Sequence, residues 1–115
     1  FAKGTDLLVH EVLNPTLVED MAKAAERHGQ KGRAKIFRDI QTYHSSPQVA
    51  GDAATAAGAK MLAFTHVVPS LPRPLMRLVT AGAADHFAGP IRTMRDGDLL
   101  SITGQGEPAY RNLLD

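Results

Sequence analysis

Three side chains in this sequence stand where a predicted strand or helix ends, and their types can transfer protons or bind metals. Glu11 ends a predicted strand over residues 5–11, and His66 follows the apolar run at 61–65. His44 lies between two predicted helices. Imidazole titrates near neutral pH and is a common zinc ligand, and a carboxylate can orient it. These residue types indicate acid–base or metal chemistry.

The spacing of the histidines does not by itself identify a metal site. The five histidines show neither His-x-His nor His-x-x-x-His spacing. A histidine at a strand end is ordinarily a polar residue that caps the next turn, and this interpretation stays open for His66 and for His44. Cysteine nucleophiles are excluded because the chain has no cysteine, and no Gly-x-Ser-x-Gly or phosphate-binding glycine loop occurs.

Composition places the chain among ordinary globular domains. It has 115 residues, of which 43% are hydrophobic and 22% charged, values that exclude disorder and several domains. The net charge of +1 argues against nucleic-acid binding through overall charge alone. A local basic stretch at 23–38 has Glu26 as its one acidic residue. This stretch is either a solvated helix face or a surface that attracts phosphate or another anion.

No apolar run approaches the length of about 20 residues needed to span a membrane, and the first ten residues lack the order of a signal peptide. We therefore expect no membrane association and a cytoplasmic location. The chain opens on Phe1 rather than Met and soon enters an apolar strand. This start leads us to expect a segment of a longer protein.

Helix signals dominate the first half of the chain after the strand at 5–11. Asn14-Pro15 offers an N-cap and a first-turn proline, which predicts a helix to Gly29. A second helix over 33–43 would bury Ile36, Phe37 and Ile40. Ser46-Pro47 predicts a third helix that ends at Gly58.

The second half is predicted to contain a strand at 61–65, a helix over 75–87 and a β-hairpin. The hairpin would pair residues 91–94 with 99–103 around Asp96-Gly97, and residues 104–115 would be a tail. Two apolar strands separated by helices indicate an α/β fold with a parallel sheet. Because functional groups gather beyond the carboxyl ends of such strands, we expect His10, Glu11 and His66 at one edge.

Several short stretches, taken in order, narrow the interpretation. They are Gly4-Thr5-Asp6-Leu7-Leu8-Val9-His10-Glu11, His44-Ser45-Ser46, Leu62-Ala63-Phe64-Thr65-His66 with Pro69, and Phe87-Ala88-Gly89 before Asp96-Gly97. Together they resemble the carboxyl-terminal half of metallo-β-lactamase-fold hydrolases, in particular the RNase Z branch. The resemblance covers residues 3–103, and its specificity lies in the order of the motifs. It implies half of an αββα sandwich over residues 1–103, with 104–115 outside it.

The resemblance also implies roles for individual residues. In that branch a strand like Asp6-Leu7-Leu8-Val9-His10-Glu11 leads to a catalytic acid, a His-Ser-Thr-like triplet opens a helix, and a Leu-Thr-His strand end supplies a metal ligand. His66 would thus ligate one metal of a two-zinc centre, while His44 and Glu11 would serve proton transfer near the leaving group. The triplet here reads His-Ser-Ser, and the stretch between Glu11 and His44 is basic and helical. These departures bear on the substrate.

The implied protein is a zinc-dependent hydrolase of anionic esters. It would be a phosphodiesterase, an RNase Z-like tRNA 3′-processing endonuclease, or a related ester or sulfate-ester hydrolase. The family's His-x-His-x-Asp-His motif, its next histidine and its bridging aspartate all precede the position where this chain begins. We therefore expect the chain alone to be inactive and to pack against the amino-terminal half of the same domain or in a homo-oligomer.

Two other functions remain open from the sequence. One is a non-catalytic α/β binding or interaction domain that happens to place a histidine at a strand end. The other is a small-molecule enzyme with a different site supplied by these residues.

Overall fold

The structure, a computed structural model, describes residues 3–104, 106 and 108–114. Helices and strands follow one another in the mixed α/β order that the sequence predicts, which confirms the fold class. The strands are β1 Leu7–Leu13, β2 Met61–Val68, β3 Ile91–Thr93, β4 Asp98–Ser101 and β5 Ala109–Asn112. The α-helices are α1 Pro15–Arg27, α2 Lys31–Ile40, α3 Pro47–Ala57 and the single turn α4 Met76–Val79, with 3₁₀ turns at Arg73–Leu75 and Ala83–Asp85.

Strands β1, β2 and β3 form a parallel sheet in that order, so the predicted parallel pairing is confirmed. Strand β1 begins and ends two residues later than the predicted span 5–11, and β2 continues past its predicted end at residue 65 to include Val67 and Val68. The main core lies between this sheet and α3, where Leu62 and Phe64 pack with Ala50 and Ala54. The other face is less covered, and Val9 is 54% exposed there.

Helix boundaries follow local capping chemistry closely. The Asn14 side chain accepts a hydrogen bond from the Leu17 N–H, and Pro15 occupies the first turn of α1. The Ser46 side chain caps α3 in the same way, and Gly58 ends that helix in the left-handed conformation. The Asn14 cap fixes the start of α1, and the Ser46 and Gly58 caps fix the two ends of α3, the helix that follows His44.

Helices α1 and α2 form a hairpin, here called the helical hairpin (residues 15–40), and pack mainly against each other. Ala22, Ala25 and Ala34 form a second small core between them, separate from the core at the sheet. Ile36 is 60% exposed, so the prediction that it is buried is wrong. The error arises because no other element among the described residues covers the outer face of α2.

The single helix predicted over 75–87 is also wrong. Three short helical pieces replace it, at Arg73–Leu75, Met76–Val79 and Ala83–Asp85. Gly82 has φ of 93°, outside the right-handed helical range, and this residue separates α4 from the last piece.

The predicted hairpin around Asp96-Gly97 is wrong as well. Strand β3 pairs parallel to β2, whereas β4 pairs antiparallel with β5, which lies in the segment predicted as a tail. The turn itself is present, because Gly97 has φ of 82° and the Asp98 N–H donates to the Arg95 carbonyl. In the described part of the chain, no helix is long and apolar enough to cross a membrane.

Candidate functional site

The site is built where β1 and the segment between α2 and α3 meet. Nδ1 of His44 lies 3.0 Å from Oε2 of Glu11 although 33 residues separate them in sequence. The Glu11 and His44 side chains are only 29% and 17% exposed, so the contact is largely shielded from water. An ionised carboxylate can only accept, so Nδ1 carries the proton in this contact and Nε2 takes no part in it. The region around the Glu11, His44 and His66 side chains is called the cleft below.

Backbone hydrogen bonds hold His44 beside β1. The Ser45 N–H donates to Oε1 of Glu11 at 2.6 Å, and the Leu13 N–H donates to the Ser45 carbonyl at 2.8 Å. Both backbone polar groups of Ser45 are thus bound to β1. The position of the His44 ring follows from this attachment and from the Ser46 cap that starts α3 one residue later.

The environment of Glu11 favours its ionised form. Burial raises the pKa of Glu11, but hydrogen bonds from the Ser45 N–H and from His44 outweigh it, and the pKa lies below the ordinary value of 4.5. A carboxylate that stays ionised can hold the imidazole in one tautomer and stabilise it when it carries a positive charge.

His66 reaches the same cleft through an irregularity of the sheet. Glu11 pairs with Thr65 and Val12 pairs with Val67, so His66 is an extra residue without a partner on β1. Its φ is 47°, a left-handed value that is uncommon outside glycine and asparagine. Such strain at a single residue is typical of functional positions.

Three aromatic rings, those of Tyr43, His44 and His66, lie close together in this cleft. The rings of His44 and His66 stack with centroids 5.4 Å apart and an interplanar angle of 23°. The centroid of the Tyr43 ring lies 5.1 Å from that of His44, with an interplanar angle of 45°. The structure therefore brings Glu11, His44 and His66 together. The strand-end argument expects Glu11 and His66 at one edge, and the resemblance adds His44.

The remaining histidines contribute less to the cleft. Nδ1 of His10 donates to the Glu11 carbonyl at 2.7 Å, and strand alternation places its side chain on the opposite face of β1 from that of Glu11. His86 forms a separate pair with Asp52, with 2.8 Å between Nδ1 and Oδ1.

Sequence reasoning missed two parts of the site. The Ser45 N–H leaves no mark in the sequence, because its role depends on the folded path of the chain. Tyr43 could have been found from its position directly before His44 in the sequence. In the structure this residue is 68% exposed.

A metal site would need more ligands than the described residues bring together. Zinc is held by three or four protein ligands, and a group of three His, Cys, Asp or Glu side chains suited to a metal does not occur in residues 3–104, 106 and 108–114. His66 could serve as one ligand, because its ring is exposed and its nitrogens form no hydrogen bond with the described residues. These residues alone do not fit a complete zinc centre.

Comparison with known proteins finds relatives that are named ribonuclease Z. Ribonuclease Z of Mycobacterium tuberculosis (strain H37Rv) is 33% identical over 95 residues, which are 83% of this chain and 31% of that protein. Ribonuclease Z of Mycolicibacterium gilvum is 40% identical over 70 residues, or 61% of this chain and 21% of that protein. In a further relative from M. tuberculosis strain CDC 1551, the chain spans 38% of the length. No protein-family model matches the chain.

Proposed function

We propose that this chain supplies the proton-transfer pair and one metal ligand to the active site of an RNA phosphodiesterase of the ribonuclease Z kind. The observation that carries the proposal is the contact of His44 with Glu11 beside the His66 ring, at 3.0 Å and 5.4 Å. The relatives' names and an alignment that covers 83% of this chain, although only 31% of the relative, support it. The processing of tRNA 3′ ends is the activity that the sequence resemblance favours.

His44 would act as the general acid. When water cleaves a phosphodiester, the P–O bond to the leaving group breaks and the departing oxygen needs a proton. An imidazolium ion held by Glu11 through Nδ1 can give that proton from Nε2 and become neutral. Glu11 would keep the ring oriented through the contact at Nδ1.

His66 would be one ligand of a zinc centre completed by residues outside the described part of the chain. Zinc bound there would activate the attacking water. The curated relatives are about three times as long as the stretch they share with this chain, which leaves room for such ligands in a longer polypeptide. This arrangement also accounts for a histidine that is strained, exposed and free of hydrogen bonds to described residues.

The test uses the longest natural polypeptide that contains this chain. We expect it to cleave the 3′ extension of a precursor tRNA, to lose this activity after chelation, and to regain it when zinc is added. A matched His86→Asn variant should behave like the wild type, because the His86–Asp52 pair lies outside the cleft. A folded protein that binds RNA without cleaving it under any metal would favour the non-catalytic binding domain instead.

A further inference from the structure

The helical hairpin carries positive charge that its own acidic residues do not neutralise. The carboxylates of the helical hairpin form ion pairs with lysines and arginines of the same hairpin. Arg38 binds Glu26 at 2.7 Å and Glu19 at 3.3 Å. Lys35 pairs with Asp39 at 2.5 Å, and Lys23 lies 4.0 Å from Asp20.

The cations that remain are clustered at the tip of the hairpin. Arg27 ends α1, and Lys31 and Arg33 begin α2, so all three lie around the turn that joins the helices. They are exposed, and none forms an ion pair with a described carboxylate, although Lys31 is near enough to Glu26 to help lower the pKa of that carboxyl. Arg33 donates to the neutral Gln30 side chain at 3.1 Å, which leaves its charge uncompensated. The tip is therefore a concentrated positive surface on a chain of net charge +1.

An open apolar groove of about 270 Å³ adjoins Arg33, one of these three cations. Met21, Ala24 and Phe37 form its apolar part, and Arg33 and His28 lie on its rim. The groove is too small for a helix but suits one planar ring. Cationic side chains beside an apolar or aromatic surface are the usual combination in proteins that bind single-stranded nucleic acid, where phosphates meet the charges and bases meet the apolar surface.

The hairpin connects this surface to the candidate active site. Helix α2 has ten residues, so it spans about 15 Å at 1.5 Å per residue. At the end nearest the site, α2 leads through Tyr43 to His44. The length of α2 alone corresponds to about four or five nucleotides, at roughly 3.4 Å for each nucleotide of a helical strand.

We infer that the tip of the helical hairpin, with Arg27, Lys31 and Arg33, binds the phosphate backbone of the RNA substrate several nucleotides from the cleaved bond, with one base in the adjoining groove. This inference rests on the proposed function, because it takes RNA as the substrate. The tip would add affinity without taking part in the chemical step.

The experiment replaces Arg27, Lys31 and Arg33 by Gln in the longest natural polypeptide that contains the chain. A control replaces three exposed cations outside the hairpin, Lys3, Arg77 and Arg111, which lowers the net charge by the same amount. The Kd for a precursor tRNA is measured across a range of salt concentrations for both variants. Each phosphate contact that is lost lowers the slope of log K against log salt by roughly 0.7 to 0.9.

We expect the tip variant to bind about ten-fold more weakly at low salt, with a slope reduced by about two to three. KM should rise while kcat is retained, and the control should bind as the wild type does. A second variant, Ala24→Leu, fills the groove without a charge change and should weaken binding while it leaves the salt slope unchanged. Circular dichroism would confirm that both variants keep their helices.

Equal affinity and slope in the tip variant and the control would overturn the inference. The inference would also be overturned if the tip variant bound RNA as the wild type does but no longer bound polyglutamate. The tip would then be a binding surface for an acidic protein. If the wild type fails to cleave RNA, the proposed function fails, and the binding measurements still decide the role of the tip.

Discussion

Glu11 and His44 are joined by a contact of 3.0 Å between a carboxylate oxygen and a ring nitrogen. Because 33 residues separate them, only the tertiary fold brings the two side chains together. The second oxygen of the same carboxylate accepts the Ser45 N–H at 2.6 Å. One side chain on β1 therefore fixes both the ring of His44 and the start of the segment that leads into α3.

This double contact makes the stability of the fold depend on the ionisation of Glu11. Because its pKa is lower in the folded chain than the ordinary 4.5, the stabilisation is present above about pH 4.5 and is lost as pH falls through the folded value. Glu11→Gln should lower the free energy of unfolding by about 1–3 kcal/mol at pH 7, since an amide cannot accept both N–H groups as a carboxylate does.

Urea unfolding from pH 7 to pH 3 measures this dependence. The difference between the wild type and Glu11→Gln should stay constant down to about pH 5 and shrink below it. The exposed Asp20→Asn variant serves as the control and should have little effect. A difference that grows toward low pH would mean that Glu11 is protonated in the folded chain.

Two glycines within helices should respond in opposite directions to alanine. A Cβ at Gly32 in α2 has nothing within 4 Å, so Gly32→Ala should stabilise the fold by about 0.5–1 kcal/mol. A Cβ at Gly51 in α3 would lie 2.8 Å from the Ala83 carbonyl oxygen and 2.8 Å from Cβ of His86. Gly51→Ala should therefore destabilise by about 1–3 kcal/mol despite the same helical preference.

Chemical denaturation of both glycine variants provides the measurement. Stabilisation by both substitutions would show that α3 packs less closely on the 3₁₀ turn Ala83–Asp85 than the structure indicates. Destabilisation by Gly32→Ala would mean that the outer face of α2 is covered by something else in solution.

The roles of His44 and His66 should separate when metal content is measured. In the longest natural polypeptide, His66→Asn should lose much of its bound zinc, because one ligand is removed from the centre. His44→Asn should retain zinc, as should the His86→Asn control. Loss of zinc in His44→Asn equal to that in His66→Asn would make His44 a ligand rather than a proton donor.

The sequence predicted those features that local chemistry determines. Ser46 and Pro47 marked the start of α3 because capping acts within one turn, and the apolar runs marked β1 and β2. The rule that strand ends share an edge predicted that His10, Glu11 and His66 lie together. The place of His44 beside them was implied by the family resemblance instead. The pairing of β4 with β5 was not predicted, because a tight turn at Gly97 does not determine which strands the residues on either side of it pair with.

Other features depended on contacts between distant residues. The Asp98 side chain, which is 1% exposed, accepts hydrogen bonds from Asn112 and Tyr110, and these hold β5 in a segment that looked like a tail. The bulge at His66 follows from the register of two strands, so no single stretch could reveal it. The cytoplasmic location, the homo-oligomer and the missing amino-terminal half stay predictions.

A double-mutant cycle of Glu11 and His44 tests the central claim most directly, with kcat for a precursor tRNA as the readout. We predict that His44→Asn lowers kcat by about 10²- to 10⁴-fold, that Glu11→Gln lowers it less, and that the double variant is no slower than His44→Asn alone, because Glu11 acts through His44. Losses that multiply in the double variant would contradict the account, since the two residues would then act independently.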